Sequence, residues 1–232
     1  MKIIAHRGAS MEAPENTAPA FRRAIELHAD FIECDVRVLK EGIPVVTHRA
    51  RVLDQPVEQL TLPEMKQWDA GGWFLKTFAG EKVMTLREML TLDFGKTGLM
   101  IEIKHPESSR DVALQHADCV YEVIKTHKPE GMRYHIGSLS IEIVAYLREK
   151  DPTLPLVGIA CSEEDAEILL SFSLPLIALR HQLVTQRRTD RIRERGGEVW
   201  CWTIDDPHFP FPALPDGIIT NNLHGFYQLS NY

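Results

Sequence analysis

Short apolar runs alternate along this chain with longer stretches whose apolar positions recur at helical spacing, and that alternation predicts the elements. Runs at 2–5, 31–36, 99–104, 134–139, 156–160, 176–179, 198–203 and 217–220 read as strands. Segments 18–28, 111–127, 141–150, 163–171 and 185–195 read as helices. The first follows an N-cap at Asn16 or Thr17, and the last ends at a Gly196-Gly197 C-cap. Eight strands separated mostly by helices predict an α/β fold, a (β/α)8 TIM barrel, as one domain over 1–232.

One connection departs from that rhythm. After the second strand, the turn signal Lys40-Glu41-Gly42 leads into the run Ile43 to Thr47. That link is too short for a crossover helix, so it predicts a β-hairpin excursion. A hairpin turning near Glu41 places His48 opposite Asp35. Beyond it, two helices are expected between 60 and 94. Thr61-Leu62-Pro63-Glu64 and Thr85-Leu86-Arg87-Glu88 open them as capping boxes, with an aromatic loop at 69–80 between.

In a barrel the polar ends of the strands matter most, because active sites sit at the C-terminal mouth. His6 and Arg7 end the first strand, Glu33 and Asp35 the second, Glu102 and Lys104 the third, and Trp202 the seventh. Strand alternation points Glu33 and Asp35 to one face, with Ile32, Cys34 and Val36 on the other. Each carboxylate makes the other costlier to ionise, and a cation between them removes that cost.

Composition narrows the classes. The 232 residues are 44% hydrophobic and 25% charged, an ordinary globular balance. With 26 Lys and Arg against 33 Asp and Glu, the net charge of −7 argues against nucleic acid or an anionic membrane as partner. No apolar run approaches the roughly 18 residues of a membrane span. The N-terminus lacks a secretory apolar region, and four scattered cysteines without a paired motif suit reduced, packed thiols, so a cytoplasmic protein is expected. Oligomeric state is not legible in the sequence.

His6-Arg7-Gly8, Ala13-Pro14-Glu15-Asn16-Thr17, Ile32-Glu33-Cys34-Asp35-Val36, Val45-Val46-Thr47-His48, Ile101-Glu102-Ile103-Lys104 and Trp202-Thr203-Ile204-Asp205 with Asp216-Gly217-Ile218-Ile219-Thr220 form a series. In order and spacing it resembles the motifs of the glycerophosphodiester phosphodiesterase family. The resemblance implies a metal-dependent barrel hydrolase that splits small glycerophosphodiesters into glycerol 3-phosphate and an alcohol. It makes Glu33, Asp35 and Glu102 metal ligands and His6 and His48 the acid/base pair. Arg7 and Lys104 would hold the phosphate, and Trp202 would wall the glycerol or the alcohol. Three carboxylates without cysteine imply a hard divalent cation, Mg²⁺ or Ca²⁺, with Mn²⁺ a further candidate. Such chemistry needs positive groups where charge builds on the phosphoryl oxygens.

Three positions depart from the family pattern. Arg49 stands where an Asp commonly follows the second histidine, Glu41-Gly42 replaces a D-G turn, and Asn221 replaces an Asp after the last strand. Arg49 puts the substrate's identity in question more than the reaction class. The alternatives are a non-catalytic barrel binding a phosphorylated metabolite, or a related phosphodiesterase or phospholipase with another head group.

Overall fold

The computed structural model describes residues 1–106 and 109–229. Eight parallel strands close into a barrel: β1 (Lys2–His6), β2 (Phe31–Val38), β6 (Gly98–Ile103), β7 (Tyr134–Ser138), β8 (Leu156–Ala160), β9 (Leu176–Arg180), β10 (Glu198–Trp202) and β11 (Gly217–Thr220). Closure is complete because β1 pairs with β2 on one side and β11 on the other. Helices α1 (Ala18–Glu26), α4 (Arg110–His127), α5 (Ile141–Lys150), α6 (Glu163–Ser171), α7 (Gln186–Arg193) and α8 (Leu223–Leu229) pack outside. Thr17 is the N-cap of α1. No helix among the described residues is long and apolar enough to cross a membrane.

Strands buried on both faces read as unbroken apolar runs, and the two faces serve different cores. Ile32, Cys34 and Val36 of β2 look outward into the large core beneath the helices. Inside the barrel, Ile4, Phe31, Met100, Val157, Ile159, Leu176, Ala178, Trp200 and Ile219 form a separate apolar plug. Phe31 meets the edge of Trp200 at 4.9 Å between ring centroids. Gly98 begins β6 where any Cβ would stand 2.3 Å from the Phe31 ring, so a bare backbone is needed for Phe31 to lie inside.

The excursion between β2 and β6 carries β3 (Pro44–Val46), the small hairpin β4 (Arg51–Val52) and β5 (Gln55–Pro56), and two single-turn helices, α2 (Leu62–Met65) and α3 (Leu86–Met89). Both expected capping boxes form: Thr61 N–H donates to Glu64 at 2.8 Å, and Thr85 N–H to Glu88 at 2.8 Å. The helices they open are shorter than expected. β4 and β5 carry no alternation long enough to read in the sequence. The excursion has its own core of Leu39, Val45, Val52, Val57, Leu60, Met65, Ala70 and Val83, which is why it keeps a fixed shape.

The hairpin exists, but its register differs from expectation. β3 pairs antiparallel with β2 through Val36 with Val46 and Arg37 with Val45, so Thr47, not His48, stands opposite Asp35. The Thr47 N–H donates to the Asp35 carbonyl at 2.9 Å. The cause is a three-residue turn, 40–42, closed by Leu39 N–H to the Ile43 carbonyl with Gly42 at φ 78°. One further expectation, that the thiols are packed, is corrected at Cys161. Cys161 is exposed, because it lies just outside β8 at the start of α6. His135 lies near the start of β7, with its ring against Phe31 and Trp200.

Candidate active site

The strand ends converge as expected. A cavity of about 200 Å³ opens at the C-terminal mouth, lined by His6, Arg7, Glu33, His48, Glu102, Lys104 and Trp202, with Met100, Ile159 and Ile219 as its apolar floor. Asp35 lies behind this wall, with only 1% of its surface exposed. Every residue singled out in the sequence therefore lies at one mouth.

Local backbone explains the first group. After His6 the chain turns through Arg7 at φ 60° and Gly8 at φ 83°, both left-handed. Gly8 lies against the backbone of Ala20, where a Cβ would approach to 2.8 Å. That turn aims the Arg7 N–H at Glu33 Oε2, 3.0 Å away, and its guanidinium at Asp35 Oδ2, also at 3.0 Å, and Glu15 at 2.7 Å. Asn16, also left-handed, clasps Asp35 from behind: its amide donates to Oδ2 at 2.8 Å and accepts the Asp35 N–H at 3.1 Å.

From the other side comes β6, whose Glu102 stands directly beside Asp35 in register. Lys104 Nζ reaches Glu102 at 2.6 Å and Asp35 at 2.8 Å. Glu33, Asp35 and Glu102 bring ligand oxygens to within 4.8 Å of one another, all buried. Glu33 Oε1 has no hydrogen-bond partner among the described residues. A buried oxygen left without a donor inside a cluster of carboxylates fits a divalent cation, because a hard cation takes oxygen ligands and cancels their repulsion. The buried acidic triad can hold such an ion.

Electrostatics follow from the crowding. Burial, then Asp35 and Glu102, push the Glu33 carboxyl well above the usual carboxylate range. Burial also raises Glu102, against the pull of Lys104. Burial pushes Asp35 the same way, but Lys104 and Arg7 outweigh it and hold that carboxyl down at about 2. His6 is lowered by burial and by Arg7. His48, which keeps an exposed edge, is lowered chiefly by burial on its other side. Both rings are thereby biased to the neutral form.

A hydrogen-bond chain behind His6 was not legible in the sequence. Asp205 accepts from the Asn221 amide at 2.9 Å, and Asn221 Oδ1 meets His6 Nδ1 at 2.8 Å. Ser10 donates to the same Oδ1 at 2.9 Å. A carboxylate only accepts, so Asp205 fixes the amide with its NH₂ toward itself and its oxygen toward His6. The oxygen then requires the proton on Nδ1. His6 Nε2, 3.8 Å from Glu33 Oε2, is left as an acceptor in the neutral ring. Asn221 was noted only as a departure from a motif, and its partner lies on the loop after β10, which adjacency in sequence does not reveal.

The sequence profile of the glycerophosphoryl diester phosphodiesterase family matches residues 6–224. The chain belongs to that family. YhdW of Bacillus subtilis (strain 168), whose name assigns the glycerophosphodiester phosphodiesterase activity provisionally, is 31% identical over 236 residues, covering 95% of this chain and 94% of that protein. A second protein of the same strain, named glycerophosphodiester phosphodiesterase, is 31% identical over 182 residues, covering 71% of this chain and 61% of its own. The fold of an Oleispira antarctica phosphodiesterase, solved with the product sn-glycerol-3-phosphate, matches with a TM-score of 0.89 at 22% identity, over 100% of this chain and 97% of that one. A glycerophosphodiester phosphodiesterase from Agrobacterium tumefaciens str. C58 matches with a TM-score of 0.79 at 25% identity, over 97% and 99% of the two chains. The barrel is thus that of glycerophosphodiester phosphodiesterases, and the chain is an enzyme of that class.

Proposed function

We propose that this enzyme hydrolyses small glycerophosphodiesters to glycerol 3-phosphate and an alcohol, with a divalent cation held by Glu33, Asp35 and Glu102. The observation that carries this reading is the buried carboxylate triad with a partnerless Glu33 oxygen, set beside two histidines on one cavity wall. When bound, the cation supplies Lewis-acid stabilisation of phosphoryl charge. Mg²⁺ and Ca²⁺ fit an all-oxygen donor set best, with Mn²⁺ next.

The chain's own residues supply the rest. Arg7 and Lys104 line the cavity with cationic donors for the non-bridging oxygens, and Asp35, Glu15 and Glu102 hold both in place. His6 is the general base: Asn221 holds its proton on Nδ1, so Nε2 accepts the proton of the attacking oxygen. His48 then returns a proton to the departing alkoxide. A phosphodiester anion beside its ring favours the protonated form that this step needs. Trp202, whose indole N–H donates to the Ala178 carbonyl at 3.1 Å, is held as a fixed wall for the glycerol or the alcohol. Nothing in this scheme requires a membrane or a macromolecular partner.

Release of glycerol 3-phosphate by the metal-stripped enzyme, with Mg²⁺, Ca²⁺ or Mn²⁺ added back, tests the reading. Turnover should return with one of these cations and fall by about 10²–10⁴ in His48→Ala. Full activity in the presence of a strong chelator would refute the cation's role, and full activity of His48→Ala would remove the second histidine from the scheme.

A further inference from the structure

Arg49 stands apart from the other cations of the mouth. Arg7 and Lys104 are held by carboxylates, whereas no ion pair engages the Arg49 guanidinium among the described residues. Two indoles hold it instead. Its guanidinium carbon lies 5.3 Å from the Trp68 ring centre and 5.8 Å from that of Trp73, both within cation–π range. The contact is built by the excursion: Trp68 packs on the excursion's own core, and the Trp73 indole N–H is fixed to the Ala70 carbonyl at 2.8 Å. Two Asp69 hydrogen bonds, to the N–H groups of Gly71 and Gly72, hold the loop that carries Trp73.

A cation–π contact places the charge near the rings without using the N–H donors, and no carboxylate takes the Arg49 fork among the described residues. An aromatic clamp also removes much of the rotamer freedom that an arginine loses on binding an anion. Arg49 is therefore a pre-set, unpaired anion receptor. Its position says which part of the substrate it meets. It follows His48 directly, and His48 lines both the catalytic cavity and the crevice that Arg49 shares with Trp68 and Trp73. On the scheme above, the His48 side is where the alcohol departs. The scissile phosphate already has Arg7 and Lys104.

We infer that Arg49 is a specificity-determining residue that selects diesters whose alcohol half carries a second anion, a carboxylate or a phosphate. The same geometry disfavours a quaternary ammonium head. The two indole faces that could receive such a cation are engaged by Arg49, and its charge repels another. This inference rests on the hydrolase reading and deepens it by naming the alcohol.

The test compares kcat/KM for glycerol 3-phosphate release from four diesters whose alcohols are choline, glycerol, serine and a glycerol bearing a second phosphate. The wild-type enzyme should prefer the last two. Arg49→Ala should lower the ratio of anionic to glycerol-head kcat/KM about tenfold, mainly through KM, and raise the relative rate on the choline diester. Arg49→Lys should fall between, since it keeps the charge and loses the fork of donors. Whichever of the serine and phosphate diesters loses more in Arg49→Ala identifies the anion. Wild-type preference for the choline diester, or an equal loss on all four in Arg49→Ala, overturns this inference while leaving the hydrolase reading intact. No release from any diester with any of the three cations overturns the hydrolase reading, and this inference with it.

Discussion

The two ends of the barrel interior carry polar residues on the same strands, yet they handle charge in opposite ways. At the N-terminal end, Lys2 pairs with Glu198 at 2.6 Å, and the Trp200 indole N–H donates to the same carboxylate at 3.2 Å. His135 fills the space between Phe31 and Trp200 with an aromatic edge. There, each cation meets a partner around an apolar plug, and Arg133 lies over the Phe31 ring at 4.9 Å and donates to the Asp30 carbonyl at 3.2 Å. At the mouth, Glu33, Asp35 and Glu102 crowd around Lys104 and Arg7, and one carboxylate oxygen has no protein donor at all. The lower end is balanced by the protein itself. The upper end holds more negative charge than its own side chains neutralise, a surplus that a divalent cation can cancel.

Substitutions at the two ends should therefore fail in different ways. The largest effect is expected from Glu33→Gln, which should cut kcat by roughly three orders of magnitude through lost cation binding. Its fold should melt no lower than the parent's in chelator, because the change removes a carboxylate that burial already disfavours. Turnover and thermal unfolding of one preparation check both halves, and retained turnover would sink the contrast. Trp200→Ala at the other end should do the reverse. Emptying the centre of the plug should cost about 3–5 kcal/mol in denaturant unfolding. Activity per folded molecule should change far less.

The pH response sharpens the comparison further. Burial lowers His135 from the ordinary histidine value of 6.5 to about 4. Between those values the unfolded chain binds a proton that the folded one refuses, so this contribution to stability is present above pH 6.5 and lost as pH falls toward 4. It amounts to at most about 3 kcal/mol. His135→Phe should remove that part of the acid sensitivity in melts taken from pH 7 to 4, and an unchanged slope would show that the ring is not held neutral. The smallest effect belongs to the hydrogen bonds behind the mouth. Asn221→Ala should lower kcat about tenfold, the scale of one positioning hydrogen bond, while KM changes little. A loss in KM alone would place Asn221 on the substrate rather than on His6.

Legibility in the sequence followed the length of each pattern. Leu156–Ala160, Gly217–Thr220, Ile141–Lys150 and Glu163–Ser171 fall where the apolar runs and helical spacing placed them. Apolar runs buried on both faces, and helices of two turns or more, leave little freedom. The excursion was harder, because its helices are single turns and its hairpin turns on three residues rather than an even number. That one-residue difference moved the partner of Asp35 from His48 to Thr47, yet His48 still lines the cavity because regular pairing stops at Val46. Strand alternation alone would have turned His48 away.

By itself, the sequence determined the barrel, the strand ends that carry polar residues, and the shared face of Glu33 and Asp35. Each follows from a short-range period that any strand or helix obeys. Only the tertiary structure decided which charges are balanced and which are in surplus. It alone set the Asp205, Asn221 and His6 chain and the clamp of Trp68 and Trp73 on Arg49. These depend on side chains from separate loops meeting at one rim, and no local period records which loops will meet.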